Sequence, residues 1–217
     1  MKNYYWVLAL LLLVACQQEE FQVVESQDEE QQLSQDDELL NLVKTVATHD
    51  GTFDDVVDES SCFSINFPYE CTANGKEYVV TKAEDLEPFD MYDKLVPTFP
   101  VTVTFANYLE LEVPTYAAFK NLIAQCANGD IFDERITCVD LQYPVQLSIY
   151  DPVTTNFETR TFNHDRDTFT GIELLNEDWI ANISYPIIIR LENGGEVQIT
   201  SNEELKFHIL AYISICD

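Results

Sequence analysis

Few residues in this 217-residue chain have the type and spacing to do chemistry. Its three histidines, His49, His164 and His208, are far apart, so a histidine-built metal or catalytic cluster lacks raw material. His164 lies in Asn163-His164-Asp165-Arg166-Asp167, where acids alternate as in a calcium loop. Such a loop needs glycine at its sixth position and a bidentate glutamate at its twelfth, and this chain has Thr168 and Leu174 there. The stretch reads better as the polar lead-in to a helix. His208, between apolar neighbours near the end, reads as a packed or rim residue. The acidic run Asp50-Gly51-Thr52-Phe53-Asp54-Asp55, with Asp58 and Glu59, also lacks the loop spacing and reads as solvated linker. There is no G-x-S-x-G elbow, no P-loop, no G-x-G-x-x-G and no H-E-x-x-H. Carboxylates are so numerous that two suited to glycoside hydrolysis can meet by chance, yet none carries a local signature. The expectation is therefore no catalytic residue, no metal ligand, no cofactor and no enzymatic activity.

Charge narrows the partners. Eleven Lys plus Arg stand against 39 Asp plus Glu, for a formal net charge of -28. That field repels a phosphate backbone and excludes nucleic acid as a partner. An apolar fraction of 46%, with 13 Phe and 11 Tyr, is too high for a disordered chain and sufficient for a core.

The first residues read as an address. Lys2 precedes an apolar run from Tyr4 to Val14, too short to span a bilayer, which ends in Leu13-Val14-Ala15-Cys16. That ending resembles the lipobox of bacterial lipoproteins, and Gln17-Gln18-Glu19-Glu20 is similar to the acidic export tract of Bacteroidota lipoproteins displayed on the outer face of the outer membrane. The resemblance implies cleavage before Cys16, acylation of Cys16 with palmitate-type chains, and a partner in the membrane itself. Several acyl chains, at about 0.8 kcal/mol per buried methylene, hold far better than one. Residues 1–15 are thus expected to be a signal peptide and 16–60 an acidic tether. Residues 17–60 carry 14 acids and one lysine, Lys44, a density that extends a chain. Within it, Leu39, Leu40, Val43, Val46 and Ala47 fall on one helical face behind Ser34-x-x-Asp37, predicting a short helix over about 34–48 that needs docking.

From residue 61 one unit recurs four times. Its copies align on Phe67-Pro68, Phe99-Pro100, Tyr143-Pro144 and Tyr185-Pro186. Around each proline runs an alternation of apolar and polar residues, such as Phe63, Ile65, Phe67, Tyr69 and Cys71 against Ser64, Asn66 and Glu70. Period two with one wet face predicts a half-buried antiparallel strand. Turn signals follow, strongest at Asn74-Gly75 and Asn193-Gly194-Gly195, then a return strand. A polar gap then leads to a helix whose first large apolar residue is Leu86, Phe119, Phe169 or Leu205. Pro88 weakens the first of these helices. A proline in every strand calls for a bulge, a strand start or an outward nitrogen, and reads as a structural device.

Five cysteines remain beyond Cys16. Cys62 and Cys138 each lie six residues before a unit's proline, while Cys126 and Cys216 follow the landing residues Phe119 and Leu205. Disulfides Cys62–Cys126 and Cys138–Cys216 are expected, with Cys71 a buried thiol; Cys62–Cys71 is the competing pairing. These runs resemble cysteine-framed repeat lipoproteins of marine Bacteroidota, a resemblance that implies no activity.

The resulting expectation is an α+β fold of two tandem modules, 61–127 and 137–217. Each would be an antiparallel four-stranded sheet with two helices on one face. The expected function is a lipid-anchored, surface-displayed, non-enzymatic binder of an extracellular glycan or protein. The alternatives are a structural or accessory subunit of an outer-membrane assembly, or a carboxylate-based hydrolase.

Overall fold

A computed structural model describes residues 32–35, 37–90 and 92–213 and has the α+β class expected. The first helix, α1 (Glu38–Val46), is shorter than the predicted span, and its cap is Asp37 instead of Ser34. The Asp37 carboxylate accepts the Leu39 N–H at 2.8 Å, satisfying one orphan donor of the first turn. A 3-10 turn (Thr52–Asp54) runs directly into the single-turn helix α2 (Asp55–Asp58).

The first pair of units comprises β1 (Phe63–Ile65), β2 (Tyr69–Ala73), β3 (Lys76–Val80), β4 (Val96–Pro97), β5 (Val101–Phe105), β6 (Glu110–Val113) and α3 (Tyr116–Ala127). The second comprises β7 (Val139–Gln142), β8 (Val145–Asp151), β9 (Asn156–Phe162), α4 (Asp165–Glu173), β10 (Ile180–Ile183), β11 (Ile187–Leu191), β12 (Glu196–Ile199) and α5 (Asn202–Ile213). Where a first-unit helix was expected there is only a 3-10 turn, Ala83–Leu86, ending just before Pro88. The landing residues Leu86, Phe119, Phe169 and Leu205 are all buried.

The sheets correct the expectation. Instead of two four-stranded sheets, the described residues form four three-stranded antiparallel sheets, ordered β1-β5-β6, β3-β2-β4, β10-β8-β9 and β12-β11-β7. Each aligned proline follows a cis peptide bond, and the alternating run around it is two strands belonging to two different sheets. The exchange is reciprocal. The residue three before one proline faces the residue three after its partner proline: Ile65 with Val103 and Pro97 with Cys71. Leu141 with Ile189, and Ile183 with Leu147, repeat the rule. Backbone bonds flanking the prolines obey it too, Asn66 N–H to Thr102 O and Thr98 N–H to Glu70 O, both 2.8 Å.

A second shared device sits where each return strand meets its helix. The Asp85 carboxylate accepts both the N–H and the hydroxyl of Thr81, and Glu204 does the same for Thr200. Asp167 takes the Asn163 N–H at 3.1 Å. The second unit has Pro114 and Ala118 at these places, with neither donor nor acceptor, and caps α3 through Thr115 instead. These bonds pull the Asp85 and Glu204 carboxyls below their ordinary range.

Two apolar cores result. One gathers Phe63, Ile65, Val80, Val103, Val113 and Phe119. The other gathers Leu141, Leu147, Ile189, Ile199, Leu205 and Ile209, and takes in Leu39, Leu40, Val43 and Val46 of α1. The tether helix therefore does dock, with Lys44–Glu173 and Glu38–Lys206 ion pairs at its rim. Burying four aliphatic side chains, at about 1.5–3 kcal/mol each, outweighs those exposed pairs.

Candidate ligand-binding cleft and a buried carboxylate cluster

The reciprocal exchange brings two proline corners face to face. Asn66-Phe67-Pro68-Tyr69-Glu70 and Thr98-Phe99-Pro100-Val101-Thr102 line an open cleft of about 650 Å³, joined by Val79 and Glu110. Its walls combine the half-buried rings of Phe67 and Phe99 with the Asn66 amide, the Thr98 and Thr102 hydroxyls and the exposed Glu70 and Glu110 carboxylates. Rings behind these walls fix them. Phe99 packs on Phe119 at 5.5 Å between centroids, and Phe67 stacks on Tyr69 at 5.8 Å and 9°. The cleft thus offers flat apolar faces beside hydrogen-bonding groups, the composition of a site for a small polar ligand or a peptide turn.

In the second pair of units the aromatic before each proline is a tyrosine with a different task. Tyr143 donates to Asp165 at 2.7 Å and accepts from Thr168, and Tyr185 donates to Asn202 at 2.7 Å, so both phenols tie their corner to a helix start. Burial pushes both phenols up from their ordinary range.

The acidic run expected to be solvated is folded instead. Gly51 lies so close to β1 that a Cβ would stand 2.6 Å from the Ser61 carbonyl oxygen. His49 places Nε2 at 2.6 Å from Ser64 Oγ, covering part of the sheet face expected to be wet; burial lowers its pKa. Asp54 and Asp58 are fully buried. Asp54 Oδ2 accepts the Ile65 N–H at 2.7 Å, closing the outer edge of β1, and Asp58 Oδ1 accepts the Ser60 N–H at 3.0 Å. Burial first, then neighbouring negative charge, pushes both carboxyls well above their ordinary range. A string of acids gives no sign of this, because acids are overwhelmingly surface residues.

The remaining expected residues fall as follows. Cys62 and Cys126 are bonded, with Cα atoms 6.0 Å apart, which excludes Cys62–Cys71. Cys71 is a buried free thiol whose pKa burial raises. Cys138 is a disulfide cysteine with Sγ 3.4 Å from the Tyr212 carbonyl oxygen. Its expected partner Cys216 lies outside the described residues, as do Cys16 and the signal peptide. His164 caps α4, its Nδ1 accepting the Asp167 N–H at 3.3 Å, so the calcium-like stretch is a helix start. Among the described residues, the one His/Cys/Asp/Glu group with metal-like spacing is Cys62, Cys126 and Asp133, whose sulfurs are bonded to each other. No helix of the described residues is long and apolar enough to cross a membrane. No protein-family model, curated protein or solved structure matches the chain.

Proposed function

We propose that this chain is a lipid-anchored, non-enzymatic binding protein of two tandem repeat modules, held through Cys16 on the outer membrane and facing the exterior. It takes an extracellular glycan or protein segment in the cleft between Pro68 and Pro100. The observation that carries this reading is the lining of the cleft, where two aromatic rings stand beside an amide, two hydroxyls and two carboxylates. Sugar rings and peptide turns present the matching faces, one apolar and one rich in hydrogen-bonding groups. The formal charge of -28 selects neutral or cationic ligands over anionic ones.

A glycan array with the purified protein, beside affinity capture from intact cells, tests the reading. Enrichment of one ligand class that is lost in Glu70→Ala/Thr98→Ala supports it, since both side chains are exposed and line the cleft. Ligand capture that this variant leaves unchanged refutes the assignment to the cleft. Replacing Cys16 by Ser should release the protein from membranes.

One observation favours the accessory-subunit alternative. Phe207, Leu210 and Ile213 lie exposed at three-residue spacing along α5, an apolar row suited to a protein neighbour. A stoichiometric membrane partner lost on Phe207→Glu distinguishes it from ligand binding in the cleft.

A further inference from the structure

Four buried oxygen atoms without a hydrogen-bond partner belong to one small region: Asp54 Oδ1, Asp58 Oδ2, Ser60 Oγ and Tyr69 Oη. Asp54 and Asp58 are one helical turn apart, so their side chains share a side of the 52–58 segment. Each spends its other oxygen on a backbone N–H, Ile65 for Asp54 and Ser60 for Asp58. The second of these bonds keeps Ser60 against Asp58. Tyr69 arrives from β2 through a row of rings, Phe53 to Phe67 at 5.4 Å and Phe67 to Tyr69 at 5.8 Å, which runs from the residue beside Asp54. Tyr69 and Ser60 are themselves only 6% and 4% exposed. Both carboxylates oppose ionisation of the Tyr69 phenol, which places it within their field.

Two carboxyl groups fully out of water must either hold protons or face a counter-charge, and none of the ion pairs among the described residues includes Asp54 or Asp58. Neither hydroxyl hydrogen-bonds to either carboxylate, although both are buried. All four unpartnered atoms are oxygens, with two formal negative charges among the four groups. We propose that Asp54, Asp58, Ser60 and Tyr69 hold a hard divalent cation of the calcium–magnesium class, which locks the 52–58 segment onto β1 and β2. Oxygen-only ligands suit that class and disfavour zinc or copper. The role is structural, because burial leaves no open path for a substrate.

The test uses the full chain, stripped with EDTA and titrated with calcium chloride, with magnesium chloride in a parallel arm. One equivalent of bound cation and a raised melting temperature are expected, both lost in Asp58→Asn. Terbium adds a readout that does not depend on that variant folding. Energy transfer from Tyr69 makes bound terbium luminesce, and Tyr69→Phe, which removes only a hydroxyl with no partner, should abolish most of that signal. Three results overturn the proposal. The first is an equal response of Asp58→Asn and the native chain, which assigns binding to surface acids. The second is a native melting temperature indifferent to both cations, with Asp58→Asn as stable or more so, which assigns the counter-charge to protons. The third is undiminished terbium luminescence in Tyr69→Phe.

Discussion

Replacing Cys62 and Cys126 together by alanine removes a link between residues 64 apart in sequence. The chain-entropy relation for a loop of that length gives about 4 kcal/mol at 25 °C, roughly a quarter or more of the 5–15 kcal/mol typical of a folded domain. The native contacts change little by comparison, since two small side chains are truncated to alanine and β1 and α3 remain packed through Phe63 and Phe119, 5.9 Å apart. The effect should therefore act through the unfolded chain. Urea unfolding without reductant, followed by far-ultraviolet circular dichroism, separates the two origins. An unfolded-state effect lowers the free energy of unfolding by about 4 kcal/mol and also steepens the denaturant dependence, because the unlinked chain exposes more surface. A loss below about 1 kcal/mol with an unchanged slope would refute the reasoning. So would peptide mapping that recovers Cys62 joined to Cys71.

Other outcomes follow from single contacts. Ile189, fully buried where β11 meets both β7 and β12, should cost about 2–5 kcal/mol when changed to alanine, read by the same urea titration. Gly171→Ala, a change that normally favours a helix by about 1 kcal/mol, should destabilise instead, by about 1–2 kcal/mol, because the new methyl meets the Phe162 ring at 2.4 Å. His49 stays neutral in the folded protein at a pH where the unfolded chain takes up a proton. Its contribution is therefore complete above the ordinary value of 6.5 and lost as the pH falls below it, and melting curves of His49→Gln should lose that part of the acid sensitivity. Carboxyl titrations by nuclear magnetic resonance should find Asp85 and Glu204 below their usual range, with the shift at 85 reduced in Thr81→Val, which removes the hydroxyl donor and keeps the backbone N–H bond.

Much of the fold is legible from residue order because each unit repeats its own punctuation. Proline alignment, the Asn74-Gly75 turn with positive φ at both residues, and the landing residues Leu86, Phe119, Phe169 and Leu205 all mark real features. Strand exchange is invisible to the same reading. A period-two pattern is identical whether a run continues straight through Phe67-Pro68 or turns into a second sheet, and only the pairing of Ile65 with Val103 tells them apart. The cleft was hidden for the same reason, since its walls meet only through that exchange. The burial of Asp54 and Asp58 was hidden because aspartate in an acidic stretch normally faces water, and here packing of Gly51 and the Phe53 ring overrides that preference.

The mutual rule by which the residue three before one proline meets the residue three after another sets how such a chain can grow or shrink. A lone copy would present two half-sheets with nothing to complete them, and an odd number would always leave one corner of raw edges. Any shortened, lengthened or circularly rearranged descendant should keep an even count, with the couple and not the single repeat as its heritable and foldable quantum.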